Sequence, residues 1–278
     1  MLTRYDGSPD WRSGQHERTE GHPMNETLAL IEARTSTRRY ADTPITPEER
    51  EAILHAAMRA PTAGNLMLYS IIEITDPALK QRLSETCDDQ PFIAKAPWVL
   101  IFVADYQKWI DVFEYSEVSH IEGVTHRSVP GVGDLMLACC DALIAAQNAV
   151  VAAESLGIGS CYIGDILENA EVHAELLRLP DHTFPVTMLC FGRPAVKRAQ
   201  VPRYEANVVH KDTYRRMDER SLRDFSEALD TAHGSKGFAP GVANCAQDVY
   251  RRKFTADFTV EMNRSVQVWM DRWQTPGA

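Results

Sequence analysis

The sequence is short of positive charge: 29 lysines and arginines face 39 aspartates and glutamates, for a formal net charge of -10. No basic stripe is left to neutralise phosphates, so nucleic acid and an anionic membrane surface are not expected as main partners. Cysteine is absent from the patterns that matter. Six occur, Cys87, Cys139, Cys140, Cys161, Cys190 and Cys245, without a Cys-x-x-Cys pair or zinc-type spacing. Several stand in apolar runs, where thiols pack as small hydrophobes, and reduced thiols in a cytoplasmic protein are expected. A His-Glu-x-x-His motif is lacking, and His120 and His126, with Glu114, Glu117 and Asp134, do not have the spacing of a helical metal pair, so no metal is expected. The Gly-x-Ser-x-Gly elbow is missing, residues 157–161 having the wrong order. A Gly-x-Gly-x-x-Gly turn between a strand and a helix is missing too, which argues against a dinucleotide-binding Rossmann unit. Residues 1–23 have no apolar core and read as a flexible arm, neither signal peptide nor membrane span.

What is present is apolar periodicity. Hydrophobic residues make up 44% of the chain, enough for a sizeable core in one domain with excursions or in two small ones. Asn25 is placed to cap a first helix with Leu28 and Ile31 on one face. Thr46, Pro47, Glu48 and Glu49 form a capping box with proline at the first helical position, and Ile53, Leu54, Ala57 and Met58 continue at helical spacing. Strand-like runs at 69–74, 97–104, 158–163 and 185–191 alternate with helices, one opened by Asp76 and Pro77 and one spanning 171–177. The run 97–104 is apolar throughout, as in a strand buried on both faces. This alternation gives an α/β or α+β class built on one mostly buried sheet.

The longest helix, residues 134–156, has only Asp141, Gln147, Asn148 and Glu154 as strongly polar positions. It needs cover on every side, either at a subunit interface or as a central helix of its own chain. Residues 204–223 are polar, and 234–244 contain Gly234, Gly237, Pro240 and Gly241, the makings of a lid or a solvated connection. Beyond them Phe258, Met262, Val266, Trp269 and Trp273 mark one face of a final docking helix.

Arg34, Ser36, Arg38 and Arg39 stand together in an otherwise acidic chain. Guanidiniums stay protonated and present a planar fork of donors, which suits a phosphate clamp beside a cofactor ring; a solvated basic turn is the plainer alternative. Arg193, Lys197, Arg198 and Arg203 form a second basic cluster suited to the same anion. Residues 61–65 make a turn whose amides can approach a ligand, and Gly157, Gly159 and Gly164 flank a short strand whose backbone can lie against a flat ring. No acid, base or nucleophile has a clear role, the pattern of an enzyme whose chemistry is carried by a bound cofactor.

In order and spacing, Arg34-Thr-Ser-Thr-Arg-Arg-Tyr40, Ala60-Pro-Thr-Ala-Gly-Asn65, Ser155-Leu-Gly-Ile-Gly-Ser-Cys-Tyr-Ile-Gly164 and Gly192-Arg-Pro194 resemble the successive FMN-binding segments of the FMN-dependent nitroreductase and flavin-reductase family. From about Asn25 onward the chain is most similar to the branch with the major oxygen-insensitive nitroreductase and the NADPH-linked flavin reductases. The resemblance implies an α+β fold of three α/β/α layers with a central mixed, mostly antiparallel sheet. It also implies an arm at 1–23, an FMN-binding core at 24–203, and a C-terminal excursion at 204–278 with a lid loop and a docking helix. The long helix would lie in a homodimer interface.

Carried over by residue, the resemblance puts Arg34, Ser36 and Arg203 on the FMN phosphate, Arg38 beside the N1 and O2 edge of the ring, and Gln90 on the pyrimidine. Thr62, Ala63, Gly64 and Asn65 would lie along the cofactor of the partner subunit, and Tyr162, Ile163 and Gly164 would present backbone to N5. Met67 stands where the commoner turn has glutamine. Val201 stands where the branch often has lysine, leaving Lys197 or Arg198 for that role. Residues 234–241 offer only Lys236 in place of the paired arginines that hold the NADPH 2′-phosphate in relatives, so NADPH and NADH both stay open as co-substrates. The activity implied is transfer of electrons from NAD(P)H to a small-molecule acceptor such as a nitroaromatic, quinone or flavin. A specialised dehalogenase or metabolite dehydrogenase of the same fold, and a flavin-binding protein that does not turn over, are the alternatives.

Overall fold

The structure, a computed structural model, describes residues 25–125, 129–196, 198–200, 203, 207–234 and 237–275. They fall into two compact units, Glu26–Gln200 with Asp257–Ala278, and Val201–Ala256 with the chain up to Asn25.

In the larger unit the chain forms α1 (Glu26–Ala33), α2 (Pro47–Met58), β1 (Tyr69–Glu73), α3 (Pro77–Thr86), α4 (Pro91–Ala94), β2 (Trp98–Asp105), α5 (Gln107–Tyr115), α6 (Val132–Ser155), β3 (Gly159–Ile163), α7 (Ala170–Leu177) and β4 (Thr183–Gly192). Local chemistry sets the boundaries. The Thr46 N–H donates to Glu49 Oε2 at 2.9 Å and the Glu49 N–H to Thr46 Oγ1 at 3.2 Å, closing the capping box of α2 as its sequence predicts. Asp76 caps α3 by accepting from the Ala78 N–H at 2.9 Å. Helix α6 starts where the Gly131 N–H donates to Asp134 Oδ2 at 2.7 Å, and Gly157, at φ 70°, turns the chain out of it into β3.

The sheet order is β1-β2-β4-β3, and each pairing is antiparallel. Every residue of β2 is buried, as expected of its unbroken apolar run. Helices cover both faces. On one, Ile53 and Ala57 of α2 and Ala142, Ala145, Ala146, Ala149 and Ala153 of α6 pack against Leu100, Phe102, Leu189 and Phe191; the small alanines let α6 lie close to the strands. On the other, Val99, Ile101, Met188 and Cys190 meet Leu83 of α3, Ala170 and Ala174 of α7, and Trp269 and Trp273. Those tryptophans belong to the last helix of the larger unit, whose buried Ser265 accepts from the Ala170 N–H at 2.8 Å and donates to the Leu167 carbonyl at 2.6 Å. The architecture is the α+β class with three layers. Parallel pairing is reduced, among the described residues, to one bridge between Ser36 and Ser160.

The smaller unit contains α8 (Glu219–His233) and α9 (Cys245–Val249), and α10 (Asp257–Gln274) follows it as the docking helix already described. Asp218 caps α8 by accepting from the Ser221 N–H at 2.8 Å, and Asn244 caps α9 by accepting from the Gln247 N–H at 2.9 Å.

Leu28 and Ile31 lie on α1 as expected, where they are exposed. Helix α6 is covered within the chain on one side only. Val132, Met136, Leu137, Leu143 and Ile144 are 40–59% exposed along one face, while the alanine face is buried.

Candidate functional site

Residues 36–41 run as a pseudo-strand beside β3 and the exit of β4. The Thr37 N–H donates to the Ser160 carbonyl at 2.8 Å, the Ala41 N–H to the Arg193 carbonyl at 2.8 Å, and the Ala195 N–H to the Arg39 carbonyl at 3.0 Å. Two glycines allow the approach. A Cβ on Gly159 would stand 2.2 Å from Thr37 Oγ1, and one on Gly192 would stand 2.4 Å from Tyr40 Cδ1. This changes the reading of the glycine triplet: Gly159 accommodates Thr37 rather than a flat ring, and Gly157 ends a helix. Only a Cβ on Gly164 would meet open space.

The alternation of this segment gathers the predicted basic residues. Arg34 and Ser36 are half-buried and Arg38 is exposed. All three surround the Cys161 thiol: burial pushes that thiol up, and Arg38, Ser36 and Arg34 oppose the shift. Burial likewise raises Glu154, against which the Arg34 guanidinium and the Ser160 backbone N–H act. Arg34 Nη1 and Ser160 Oγ are buried without a hydrogen-bond partner, a donor arrangement that protein atoms leave unused. A cavity of about 90 Å³ opens here, lined by Ser36, Thr37, Arg38, Arg39, Val196 and Arg198.

Strand β3 is the edge of the sheet. Backbone groups alternate in direction along a strand, so the Ser160 carbonyl that meets Thr37 fixes Tyr162 as the next residue facing outward, while Cys161 and Ile163 face β4. The Ile163 side chain is in the core, and Tyr162, its phenol raised to about 12 by burial, donates from Oη to Gln147 Oε1 at 3.1 Å.

Gln90 is brought to the same end. Its Nε2 donates to Asp165 Oδ2 at 2.7 Å and to the Cys87 carbonyl at 2.9 Å, tying it to the residue after Gly164. Phe92, just beyond Gln90, has its ring centroid 5.6 Å from the Arg38 guanidinium carbon, a cation–π contact linking this segment to the arginine cluster. Below lies Glu168, raised to about 7 by burial, with Asp165, Asp88 and Glu261 adding repulsion; its Oε1 is unpartnered. A carboxyl whose folded pKa exceeds its unfolded value stabilises the fold when protonated. Stability is therefore expected to fall as pH rises from about 4.5 to about 7. Glu168→Gln should flatten that segment of a stability–pH curve and raise stability at pH 8 by up to about 3 kcal/mol; denaturant titrations at several pH values read this directly.

Thr62, Ala63, Gly64 and Asn65 form a separate group. A carboxylate to which the sequence assigns no role holds them: buried Asp141 on α6 accepts from the Thr62 hydroxyl, from the Ala63 N–H at 3.0 Å and from the Leu68 N–H at 3.2 Å. The Met67 N–H closes the turn onto Thr62 Oγ1 at 2.8 Å. Gly64 at φ 56° and Asn65 at φ 59° carry the chain through the left-handed region. Among the described residues no hydrogen bond or ion pair joins this turn to Arg34, Ser36, Arg38 or Gln90. A clue to Asp141 was present in the sequence: a charge inside an apolar helix is retained only when fully hydrogen-bonded.

Of the second basic cluster, Arg193 donates to Glu49 Oε1 at 2.5 Å and to the Leu156 carbonyl at 2.9 Å, so it braces α2 and the end of α6. Arg198 lines the cavity. Arg203 is exposed and belongs to the smaller unit. Lys197, Val201, Lys236 and His126 lie outside the described residues. His120 is exposed, 3.4 Å from Glu117, and among the described residues no group of three ligating side chains could hold a metal.

Comparison with known proteins fits this layout. The family model described as the nitroreductase family matches residues 31–193, from α1 through the last residue of the Gly-Arg strand exit. The oxygen-insensitive NADPH nitroreductase of Salmonella typhimurium is 35% identical over 215 residues, 77% of this chain and 85% of that protein. The FMN reductase (NADPH) of Bacillus subtilis is 34% identical over 209 residues, covering 75% and 80%. Among solved structures, the NfrA1 nitroreductase from B. subtilis superposes with a TM-score of 0.75 at 27% identity, over 88% of this chain and 98% of that one. With the segments predicted from the sequence gathered inside the matched region, the chain belongs to the nitroreductase family.

Proposed function

We propose that the chain is an NAD(P)H-dependent flavin oxidoreductase that holds FMN against the open edge of β3 and delivers electrons to small acceptors such as nitroaromatics, quinones and flavins. The observation that carries the reading is the convergence of Arg34, Ser36 and Arg38 on β3, with Arg34 Nη1 buried and lacking any acceptor. That donor set suits a phosphate and the electron-rich edge of a flavin. Bound FMN would supply the redox chemistry, hydride uptake from NAD(P)H followed by return of two electrons to an acceptor in the same cleft. The protein contributes binding, orientation and charge. Arg34 and Ser36 donate to the phosphate end; the outward backbone of Tyr162, with that of Gly164, and the carboxamide of Gln90 align the ring, whereas Ile163, expected to present its backbone there, faces β4 instead.

A cavity of about 90 Å³ within one chain is far smaller than a flavin nucleotide. A second copy of the chain completes the site in this reading. The exposed apolar face of α6 is the contact, and the Thr62 to Asn65 turn, rigidified by Asp141, reaches the cofactor of the partner. Given the choice between interface and central helix, that unpacked face favours the interface. We place the homodimer in the cytoplasm.

Arg38 sets the potential. Reduced flavin carries negative charge near N1 and O2, and a charge-assisted hydrogen bond there contributes roughly 1.5 to 3 kcal/mol. Arg38→Ala is expected to lower the two-electron potential by roughly 30 to 65 mV and to slow reduction, read by anaerobic redox titration; an unchanged potential removes Arg38 from this role. The proposal as a whole is tested by the visible spectrum of purified protein and by anaerobic titration with NADH and NADPH separately. Protein that is colourless and takes up no added FMN would overturn it. Flavin-bearing protein without steady-state turnover on nitroaromatics or quinones would instead identify a binding protein.

A further inference from the structure

Gln90 is held by its backbone and by its side chain. Its N–H donates to the Ser84 carbonyl at 2.8 Å and its carbonyl accepts from the Ile93 N–H at 3.0 Å, with Pro91 opening α4 between them. Beyond the backbone, Nε2 donates to the Cys87 carbonyl at 2.9 Å and to Asp165 Oδ2 at 2.7 Å. A backbone carbonyl and a carboxylate can only accept, so together they take both protons of the amide nitrogen and fix which way the carboxamide faces. Only Oε1 is left for a ligand. Among the described residues no donor meets it, and Gln90 is half-buried, with part of its surface open.

Asp165 reaches Gln90 because the chain turns tightly after β3. The Leu167 N–H donates to the Gly164 carbonyl at 3.0 Å and the Glu168 N–H to the Asp165 carbonyl at 3.1 Å, a 3₁₀ turn that seats the carboxylate at the strand exit. Hydrogen bonds to an ionised acceptor are stronger than neutral ones, and successive bonds polarise one another. The pull of Asp165 on the amide N–H therefore makes Oε1 a better acceptor. With the Cys87 carbonyl alone, one amide proton would be unclaimed and the carboxamide could turn over. A side chain already fixed in its binding orientation loses less conformational entropy when a ligand arrives.

The pyrimidine edge of an oxidised flavin presents N1, O2 and O4 as acceptors and N3–H as its one donor. Arg38, a donor only, suits N1 and O2, and its contact with Phe92 links it to the segment that carries Gln90. A carboxamide that can only accept matches N3–H and no other atom of that edge. We infer that Asp165 is a positioning residue that locks the Gln90 carboxamide so that Oε1 receives the N3–H of FMN, and that the site thereby selects flavins whose N3 is unsubstituted. This role for Asp165 rests on the FMN-binding function proposed above and adds to it the direction of the amide.

Full-length protein freed of flavin and titrated with FMN and with 3-methyl-FMN, in which a methyl group replaces the N3 proton, measures this through the quenching of flavin fluorescence. The parent is expected to bind FMN roughly tenfold more tightly than its methylated analogue. In Asp165→Ala the released carboxamide can turn or swing aside, so FMN should weaken until the two flavins bind within about twofold of one another, with 3-methyl-FMN holding its parental affinity. Asp165→Asn still offers a carbonyl to the Gln90 N–H and should restore most of the preference. Gln90→Met removes Oε1 itself and should bring the same convergence, a second reading should Asp165→Ala fail to fold. A residue that only supported the fold would weaken both flavins alike. That equal loss, a parent that binds both flavins equally, or a preference for FMN that survives Asp165→Ala and Gln90→Met would overturn the role of Asp165 and leave the flavin site standing. Protein that takes up neither flavin would end the functional reading and this role with it.

Discussion

Asp141→Ala is expected to cost roughly 3 to 5 kcal/mol of stability, a fall in Tm on the order of 10 °C for a chain of this size. The carboxylate accepts from one hydroxyl and two backbone N–H groups in the 62–68 turn. Removing it leaves the buried Leu68 N–H and the half-buried Ala63 N–H without an acceptor, at roughly 1 to 3 kcal/mol each, and opens a void on α6. Asp141→Asn keeps one carbonyl but sets an amide N–H₂ against donors, so it should recover only part of the loss. Thermal unfolding of the three proteins measures this order. If the turn reaches the cofactor of the partner, FMN should be released more readily by Asp141→Asn even at temperatures where that variant is folded. A variant as stable as the parent would remove Asp141 as the staple of the turn.

Charge on the open face of α6 should have an effect as large, on assembly rather than on folding. Leu137 and Ile144 are 52% and 40% exposed in one chain, so glutamate at either position meets water in the monomer. In a dimer closed through that face the carboxylates would be desolvated opposite their own symmetry mates, at roughly 3 kcal/mol or more per substitution, a hundredfold or greater loss in dimer affinity. Leu137→Glu with Ile144→Glu is therefore expected to sediment as a folded monomer at micromolar concentration and to lose its yellow colour. A monomer that retains FMN would refute the shared site, and a dimer that persists would move the interface elsewhere.

Much of this architecture was readable from the sequence because its signals are local. The capping box at Thr46, the apolar run of β2 and the glycine after α6 each act within a few residues. Helix α8 was not singled out because its apolar positions, Leu222, Phe225 and Leu229, stand among many charged residues and none of its residues is buried. The site was legible in its basic residues and in their order. Its supporting contacts were not. Asp141 finds its partners 73 to 79 positions earlier in the chain, and Gln90 meets Asp165 from 75 positions away. Gly159 seemed suited to a ring because the side chain that fills its space, Thr37, belongs to a segment whose pairing no local pattern announces.

The order in which the larger unit is assembled has a consequence for biosynthesis. Trp269 and Trp273 are fully buried in its core, yet they emerge only after the whole of Val201–Ala256 has been made. Until then the sheet face of Val99, Ile101 and Met188 lacks two of its indole neighbours. A nascent chain at that stage exposes an apolar surface to solvent, and translation pausing within the excursion would lengthen its dependence on chaperones.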